Sequence, residues 1–398
     1  MDVLVPDIIR IVFDQLDFMN QSNMRLVSKY FMINCPITNL FDDVPNIHKL
    51  TDEILKLYPH LIKLDIGCYD SLITDINHLV NLRILNIQYG CKINNRSFSK
   101  VTNLVELYAP GNENITNLNR SINLRVLNIG NSHSGINNMG LFRLTNLTKL
   151  NVNNVRKITN VNHMSNLCSL NAQGICGIDT YGLSQLTNLT ELYACDNHKI
   201  THINNLIKLQ ILDIRGDCGV DNEELLQLTN LTILDASNNI KIADINHLAN
   251  LRYLDLCGNC GISNNGISEL TNLVKLNAWS NGKITNINHL ANLRILDASY
   301  NCGIDNNGIS RLTNLISLSV SGNNKITNIN HLVNLQILDA NYNNCGIDNR
   351  GVSQLTNLVK INADYNKKLT RTQNMVKIKI AYGTIFIRCD NTSWCQIV

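Results

Sequence analysis

Residues 249–290 read ANLRYLDLCGNCGISNNGISELTNLVKLNAWSNGKITNINHL, and residues 291–332 read ANLRILDASYNCGIDNNGISRLTNLISLSVSGNNKITNINHL. The second stretch is the first again, 42 residues later. Each unit divides into subunits of roughly 22 and 20 residues, both opening on Asn-Leu-x-x-Leu-x and an apolar residue. Working outward, the opening leucine recurs from Leu61, Leu82 and Leu104 through Leu251, Leu273 and Leu293 to Leu358. About fifteen subunits therefore cover residues 61–375. Self-similarity at such a period is the signature of a stacked repeat, because one subunit alone cannot bury its apolar edge.

The pattern inside a subunit says how it stacks. Leu293, Leu296 and Ala298 alternate on a short strand and face inward, while Ile295, Asp297 and Ser299 face outward. Asn301 follows at a turn, where its amide is expected to satisfy backbone groups of neighbouring turns. The same place holds Asn197, Asn239, Asn259, Asn281, Asn323, Asn343 and Asn366. Early subunits carry Tyr69, Gly90, Ser132, Val155 and Ile175 there and are expected to be less regular. Ile304 and Leu312 return the chain to the core.

A period of 20–23 residues with L-x-x-L-x-L-x-x-N resembles the leucine-rich repeat. The resemblance implies an α/β fold: a curved solenoid with a parallel sheet on its concave side and short helices or turns on the convex side. The longer subunits run Asn301-Cys302-Gly303-Ile304-Asp305-Asn306-Asn307-Gly308-Ile309-x-x-Leu312. This is similar to the cysteine-containing repeat of leucine-rich-repeat proteins that carry an F-box. The cysteine is displaced by one residue, to Cys260 and Cys302. Gly140, Gly182, Gly266, Gly308 and Gly351 fill the glycine place.

Residues 1–40 break the repeat. Ile9, Val12, Phe13 and Leu16 have helical spacing behind Pro6 and Asp7, which suit a helix start. Asn20 and Ser22 offer caps for a second helix bearing Met24, Val27 and Phe31. The segment Val5-Pro6-Asp7-Ile8-Ile9 and the closing Leu26-Val27-Ser28-Lys29-Tyr30-Phe31 resemble an F-box. Val5 departs from the family leucine, and one residue is missing between Pro6 and Ile8. An alternative reading is a helical cap on the first apolar edge. With the Asn-rich and Ile-rich bias, the whole resembles F-box/leucine-rich-repeat proteins of giant DNA viruses. Residues 41–60 form the junction and N-terminal cap. In residues 376–398, Ile378, Ile380, Tyr382, Ile385 and Ile387 alternate like strands of a C-terminal cap.

Composition narrows the function. The chain has 398 residues, 65 of them asparagine, 16% charged residues and a formal net charge of +3. That net charge predicts no strong pull onto nucleic acid or an acidic membrane. No apolar run reaches the ~18 residues of a membrane span, and no basic leader precedes the head. The thirteen cysteines include Cys176, Cys218, Cys260, Cys302 and Cys345, each two subunits from the next. About 10 Å apart at two strand spacings, they are too far apart for disulfides, and free buried thiols are expected. Cys257-x-x-Cys260 lacks a second ligand pair for zinc. His247, His289 and His331 recur with the repeat, and His198 and His202 fall in a turn. The triplets beginning at Asn146, Asn188 and Asn230 match glycosylation sequons but lie where strands begin. No phosphate loop, nucleophile elbow or dinucleotide fingerprint appears. The reading is therefore not an enzyme, with no cofactor and no metal.

The outward strand positions carry Asp213, Asp235, Asp255, Asp297 and Asp339, with Tyr253, Trp279, Tyr300 and Tyr342 nearby. Adjacent aspartates repel one another, so this strip is either tolerated by the fold or built for a basic partner. The family resemblance implies an adaptor of a Skp1–cullin–F-box ubiquitin ligase. Pro6, Ile9, Val12, Phe13, Leu16 and Val27 would bind Skp1, and the repeats would hold a target protein. The rival expectation is a protein-binding scaffold with no ubiquitin role. Either way, the chain is expected to be an intracellular monomer in the host cytoplasm or nucleus.

Overall fold

The computed structural model describes residues 10, 14–29, 34–41, 49–67, 71–88, 91–370 and 379–380. The chain forms two compact units, Met1–Asn230 and Leu231–Val398. Among the described residues of the first, nine short strands run from Asn39–Leu40 and Lys63–Asp65 to Ile211–Asp213, each paired in parallel with the next. The second has eight, from Ile233–Asp235 to Lys379–Ile380, again parallel in chain order. Parallel strands need a crossover, and here each crossover is one loop of the repeat.

The strand is three residues long because only its middle leucine must point inward. Leu254, Leu276, Leu296, Leu318 and Leu338 are paired in register and buried. Opposite the sheet the longer subunits make one helical turn, such as Asn138–Leu141, Thr180–Leu183 and Asn222–Leu225. Asn137 and Asp179 cap the first two through the backbone N–H of Gly140 and Gly182. Glycine in this turn is set by close approach. A Cβ on Gly308 would overlap the carbonyl oxygen of Thr285 in the preceding turn. Leu293, Leu296, Ala298, Ile304 and Leu312 all lie in the core as the alternation predicts. Ser299 is buried, with its Oγ 2.7 Å from that of Ser319, the last strand residue of the next turn.

The turn asparagine needs a correction. Asn259, Asn301 and Asn343 are exposed, and the next buried position belongs to Cys260, Cys302 and Cys345. Buried asparagine occurs in the alternate turns, at Asn239, Asn281, Asn323 and Asn366. The second unit therefore alternates asparagine and cysteine at one ladder position. Asn323 donates through Nδ2 to the carbonyls of Ala298 (2.7 Å) and Ile304 (3.3 Å) and accepts from the Lys325 N–H (2.8 Å). Cys345 directs its Sγ to the Val320 carbonyl, 3.4 Å away. The displaced cysteine is thus the ladder residue itself. In the first unit the position holds Ser71, Cys91, Asn112, Ser134, Val155, Cys176, Asn197 and Cys218, all buried. The early turns keep their spacing and vary only in the side chain.

Asparagine is abundant because the repeat uses it at several further places. Asn292 donates to the Thr271 carbonyl of the preceding turn (3.0 Å). Asn288 donates to the Asn307 carbonyl (2.7 Å) and accepts from the Arg311 N–H (2.8 Å). Asn264 donates to Thr285 Oγ1 (2.7 Å) and accepts from its N–H (2.8 Å). An amide suits each place because it donates and accepts at once, so neighbouring loops without regular strand pairing are still stitched together. The sequon asparagines do the same work: Asn146, Asn188 and Asn230 donate to the carbonyls of Ile122, Ser165 and Ile207.

Candidate functional site

On the sheet face of the second unit, the last strand position reads Asp235, Asp255, Asn277, Asp297, Ser319, Asp339, Asn362. Several of these residues first serve the fold. Asp235, Asp255, Asn277 and Asp297 each accept, through Oδ1, the backbone N–H two residues on, at 2.9–3.1 Å. This local turn takes the chain off the strand. Beyond Asp255 the acids alternate with neutral residues, so the 42-residue period separates like charges by two strands. Asp235 and Asp255 are direct neighbours. Ser237 Oγ lies 2.6 Å from a carboxylate oxygen of each, and Asn277 donates to Asp255 at 2.9 Å. Ser321 donates to Asp339. Burial pushes the Asp297 carboxyl up to about 6, helped by the charges of Asp339 and Asp255. Burial raises that of Asp339 as well, with Asp364 adding to it.

Asp213, in the first unit, is not a free acid. Arg215 grips it through Nε (2.9 Å) and a terminal nitrogen (2.8 Å), and Gln173 adds a third bond at 3.0 Å. The signal was available in the sequence, since strand residues two apart share a face.

The aromatic side chains divide. Tyr253 lies on the sheet face in register with Lys275. Trp279, Tyr300 and Tyr342 instead sit just past the strands and form one cluster. The Trp279 and Tyr300 rings are 5.3 Å apart at 62°, and those of Tyr300 and Tyr342 are 5.6 Å apart at 53°. Trp279 is half-buried by this contact, while Tyr300 and Tyr342 are exposed. Two turns separate Tyr300 from Tyr342. The intervening turn carries Gly322, where a Cβ would stand 3.5 Å from the Tyr300 ring. A Cβ there would make only ordinary contact with that ring, and what favours glycine is its φ of 68°.

The tyrosines also occupy an unusual backbone. Tyr300, Tyr342 and Tyr365 have φ of 57°, 73° and 63°, at the position where other turns place Gly258, Gly322, Asn238 or Ser280. A bulky residue in the left-handed region is strained. Such strain concentrates where a side chain is held for a purpose. The alternation of Gly or Asn with Tyr at one repeat position would have disclosed this in the sequence.

Around the head, Pro6, Ile9, Val12 and Phe13 lie outside the described residues. Leu16 is half-buried, and Val27 ends the helix Phe18–Val27. That helix is capped by Asp17, which accepts the Asn20 N–H at 2.8 Å, so neither Asn20 nor Ser22 is the cap. Most of residues 376–398 also lie outside. Lys379–Ile380 pairs in parallel with Lys360–Ile361.

The ten described cysteines are free thiols. Burial pushes the thiols of Cys176 and Cys302 up to about 11. His289 and His331 approach the carbonyls of Ile267 (2.9 Å) and Ile309 (3.0 Å) through Nε2, a structural use. Among the described residues no group of three or more metal-ligating side chains converges, and no helix is long and apolar enough to cross a membrane.

No protein-family model matches the chain, and no curated protein does. Solved structures do. A leucine-rich-repeat protein of Leptospira interrogans superposes with a TM-score of 0.54 at 21% identity, over 88% of this chain and 98% of that one. The functional domain of InlJ from Listeria monocytogenes, which includes a cysteine ladder, gives 0.51 at 22%, over 81% and 72%. TLR13 in complex with ssRNA13 gives 0.55 at 21%, over 80% of this chain and 55% of that one. The fold is a leucine-rich-repeat solenoid. At these identities the likeness is one of fold. Within it, the ladder position alternates cysteine with asparagine from Cys176 to Asn366.

Proposed function

We propose that this leucine-rich-repeat chain is a protein-binding scaffold that serves as the target-recognition subunit of a Skp1–cullin–F-box ubiquitin ligase. The observation that carries the binding role is the Trp279–Tyr300–Tyr342 cluster, with two tyrosines in left-handed backbone. Tryptophan and tyrosine dominate the energy of protein interfaces. The carboxylates of Asp235, Asp255, Asp297 and Asp339 line the adjoining sheet face, so the favoured partner presents basic and apolar groups. Asp213 is excluded from this surface by its own Arg215. Tyr253 extends the sheet face beside Asp255.

The adaptor role rests on the F-box-like residues of the head. Such a subunit performs no bond chemistry: it raises the effective concentration of a target near the ubiquitin-carrying enzyme. Its place of action is then the host cytoplasm or nucleus. The test of the target surface is capture of partners by wild type and Trp279→Ala, followed by a salt titration of each hit. Partners lost with Trp279→Ala and weakened by salt support the reading. Partners retained by the variant, and indifferent to salt, place recognition elsewhere.

A further inference from the structure

The near-neutral balance of the whole chain hides a local excess. Residues 77–178 contain ten Lys and Arg against two acids, Glu106 and Glu113. Glu106 already accepts the Tyr108 hydroxyl at 2.8 Å. All of this segment lies in the first unit. Arg83, Lys100, Arg120, Arg125 and Arg143 are exposed, and none of their side chains has a hydrogen bond or ion pair among the described residues.

Arg83 and Arg125 mark one flank of the unit, and the other cations recur in the turns between and beside them. Arg83 and Arg125, two turns apart, line one open cavity of about 260 Å³ with Asn103, Val105, Asn123 and Asn146. The backbone N–H of Lys100 is held by Asn77, and that of Arg143 by Asn119, the residue before Arg120. Lys100, Arg120 and Arg143 each stand four residues before the opening leucine of a subunit, Leu104, Leu124 and Leu147. Cations recur at steps of one or two turns, about 5–10 Å at the usual strand spacing. The cavity's three asparagines each donate one amide hydrogen to a carbonyl of the preceding turn. Each retains a second amide hydrogen facing its surroundings.

We infer that this flank of the first unit binds the phosphate backbone of a nucleic acid. A track of unpaired cations over successive turns is the electrostatic footprint of such a ligand. Arginine's planar fork matches phosphate oxygens two at a time. An acidic protein segment would need a carboxylate on nearly every second residue to satisfy the same track. A nucleic acid supplies a charge at each nucleotide, whatever its sequence. The surface is separate from the aromatic cluster of the second unit and independent of the ubiquitin reading.

The test uses the full chain and a labelled mixed-sequence single-stranded oligonucleotide of about 20 nucleotides, with fluorescence anisotropy between about 50 and 200 mM salt. Wild type is expected to bind at low salt and to weaken steeply as salt rises. The double variant Arg83→Gln/Arg125→Gln is expected to lose roughly tenfold in affinity and to lower the salt slope by about 1.4, two contacts at ~0.7 each. Arg311→Gln, an exposed arginine of the second unit, is expected to leave binding unchanged. If the first double variant fails to fold by thermal denaturation, Lys100→Gln/Arg143→Gln replaces it with the same expectation. No binding by wild type at low salt overturns the inference, as does equal binding by the folded double variant. Displacement of the oligonucleotide by poly-glutamate at matched charge also overturns it, in favour of an acidic protein partner.

Discussion

The Tyr300 ring meets the indole of Trp279 edge to face, with centroids 5.3 Å apart, from a backbone held at φ 57°. A glycine or asparagine would occupy that backbone at lower cost. The strain is offset by the contact itself, since aromatic pairs contribute about 0.5–1.5 kcal/mol beyond area burial. Trp279→Ala removes the largest ring of the cluster, and with it the Tyr300 contact, without opening the leucine core. It is expected to weaken target capture by more than ~1 kcal/mol, with a smaller loss of thermal stability. Equal losses of both would make the cluster a packing feature.

Tyr365 isolates the backbone cost. Its φ is 63° and its side chain is 77% exposed. Asparagine tolerates the left-handed region better than tyrosine. Tyr365→Asn is therefore expected to stabilise the chain by roughly 0.5–1 kcal/mol, read as a raised midpoint in urea. A lowered midpoint would show that the ring contributes contacts outweighing the strain.

Asp297 makes stability depend on pH. Its folded carboxyl titrates near 6, against 3.8 for the ordinary group. Between those values the folded state holds a proton that the unfolded chain has released, so stability falls as pH rises from about 4 to about 6 and is level above. Asp297→Asn keeps the turn, because Asn277 makes the same bond one turn earlier. The variant is expected to gain roughly 1–3 kcal/mol at pH 7.5 and little at pH 4. A gain of equal size at both pH values would rule out titration as the cause.

The ladder predicts a contrast between two asparagines of adjacent turns. Asn323→Ala removes the partner of two backbone N–H groups, of Lys325 and Ile326, and of two carbonyls and is expected to cost about 2–4 kcal/mol. Asn301 is exposed, and Asn301→Ala is expected to stay within about 0.5 kcal/mol of wild type. Chemical denaturation of the pair decides which position carries the ladder.

Native alkylation probes the thiols. Cys168 is exposed, whereas Cys302 is buried with its thiol pushed up to about 11. Since the thiolate is the reactive form, Cys168 is expected to label first and Cys302 only on unfolding. Early labelling at Cys302 would mean that the ladder opens locally.

The fold was legible because the leucines recur with a fixed period, and burial of Leu254, Leu276 and Leu296 needs only that period. The ladder asparagine was legible at Asn197, Asn239, Asn281, Asn323 and Asn366 and was misplaced only in the cysteine turns, because spacing alone does not say whether Asn301 or the adjacent Cys302 turns inward. Asp213 looked like its neighbours until the closure of Arg215 was seen. The cluster residues were legible as exposed aromatics. Their mutual contact was not, because Trp279 and Tyr300 are 21 residues apart and Tyr300 and Tyr342 are 42 apart, and only the stacking of the turns brings the rings together.

The adaptor reading meets its most direct test in the head. Purified Skp1 is titrated into the full chain by calorimetry, with wild type and the Ile9→Asp/Phe13→Asp variant compared at matched thermal stability. Wild type is expected to bind stoichiometrically and the double variant not at all, with the solenoid transition unchanged. Absence of Skp1 binding by wild type, or equal binding by both, would contradict the adaptor reading and leave a repeat scaffold without a ubiquitin role.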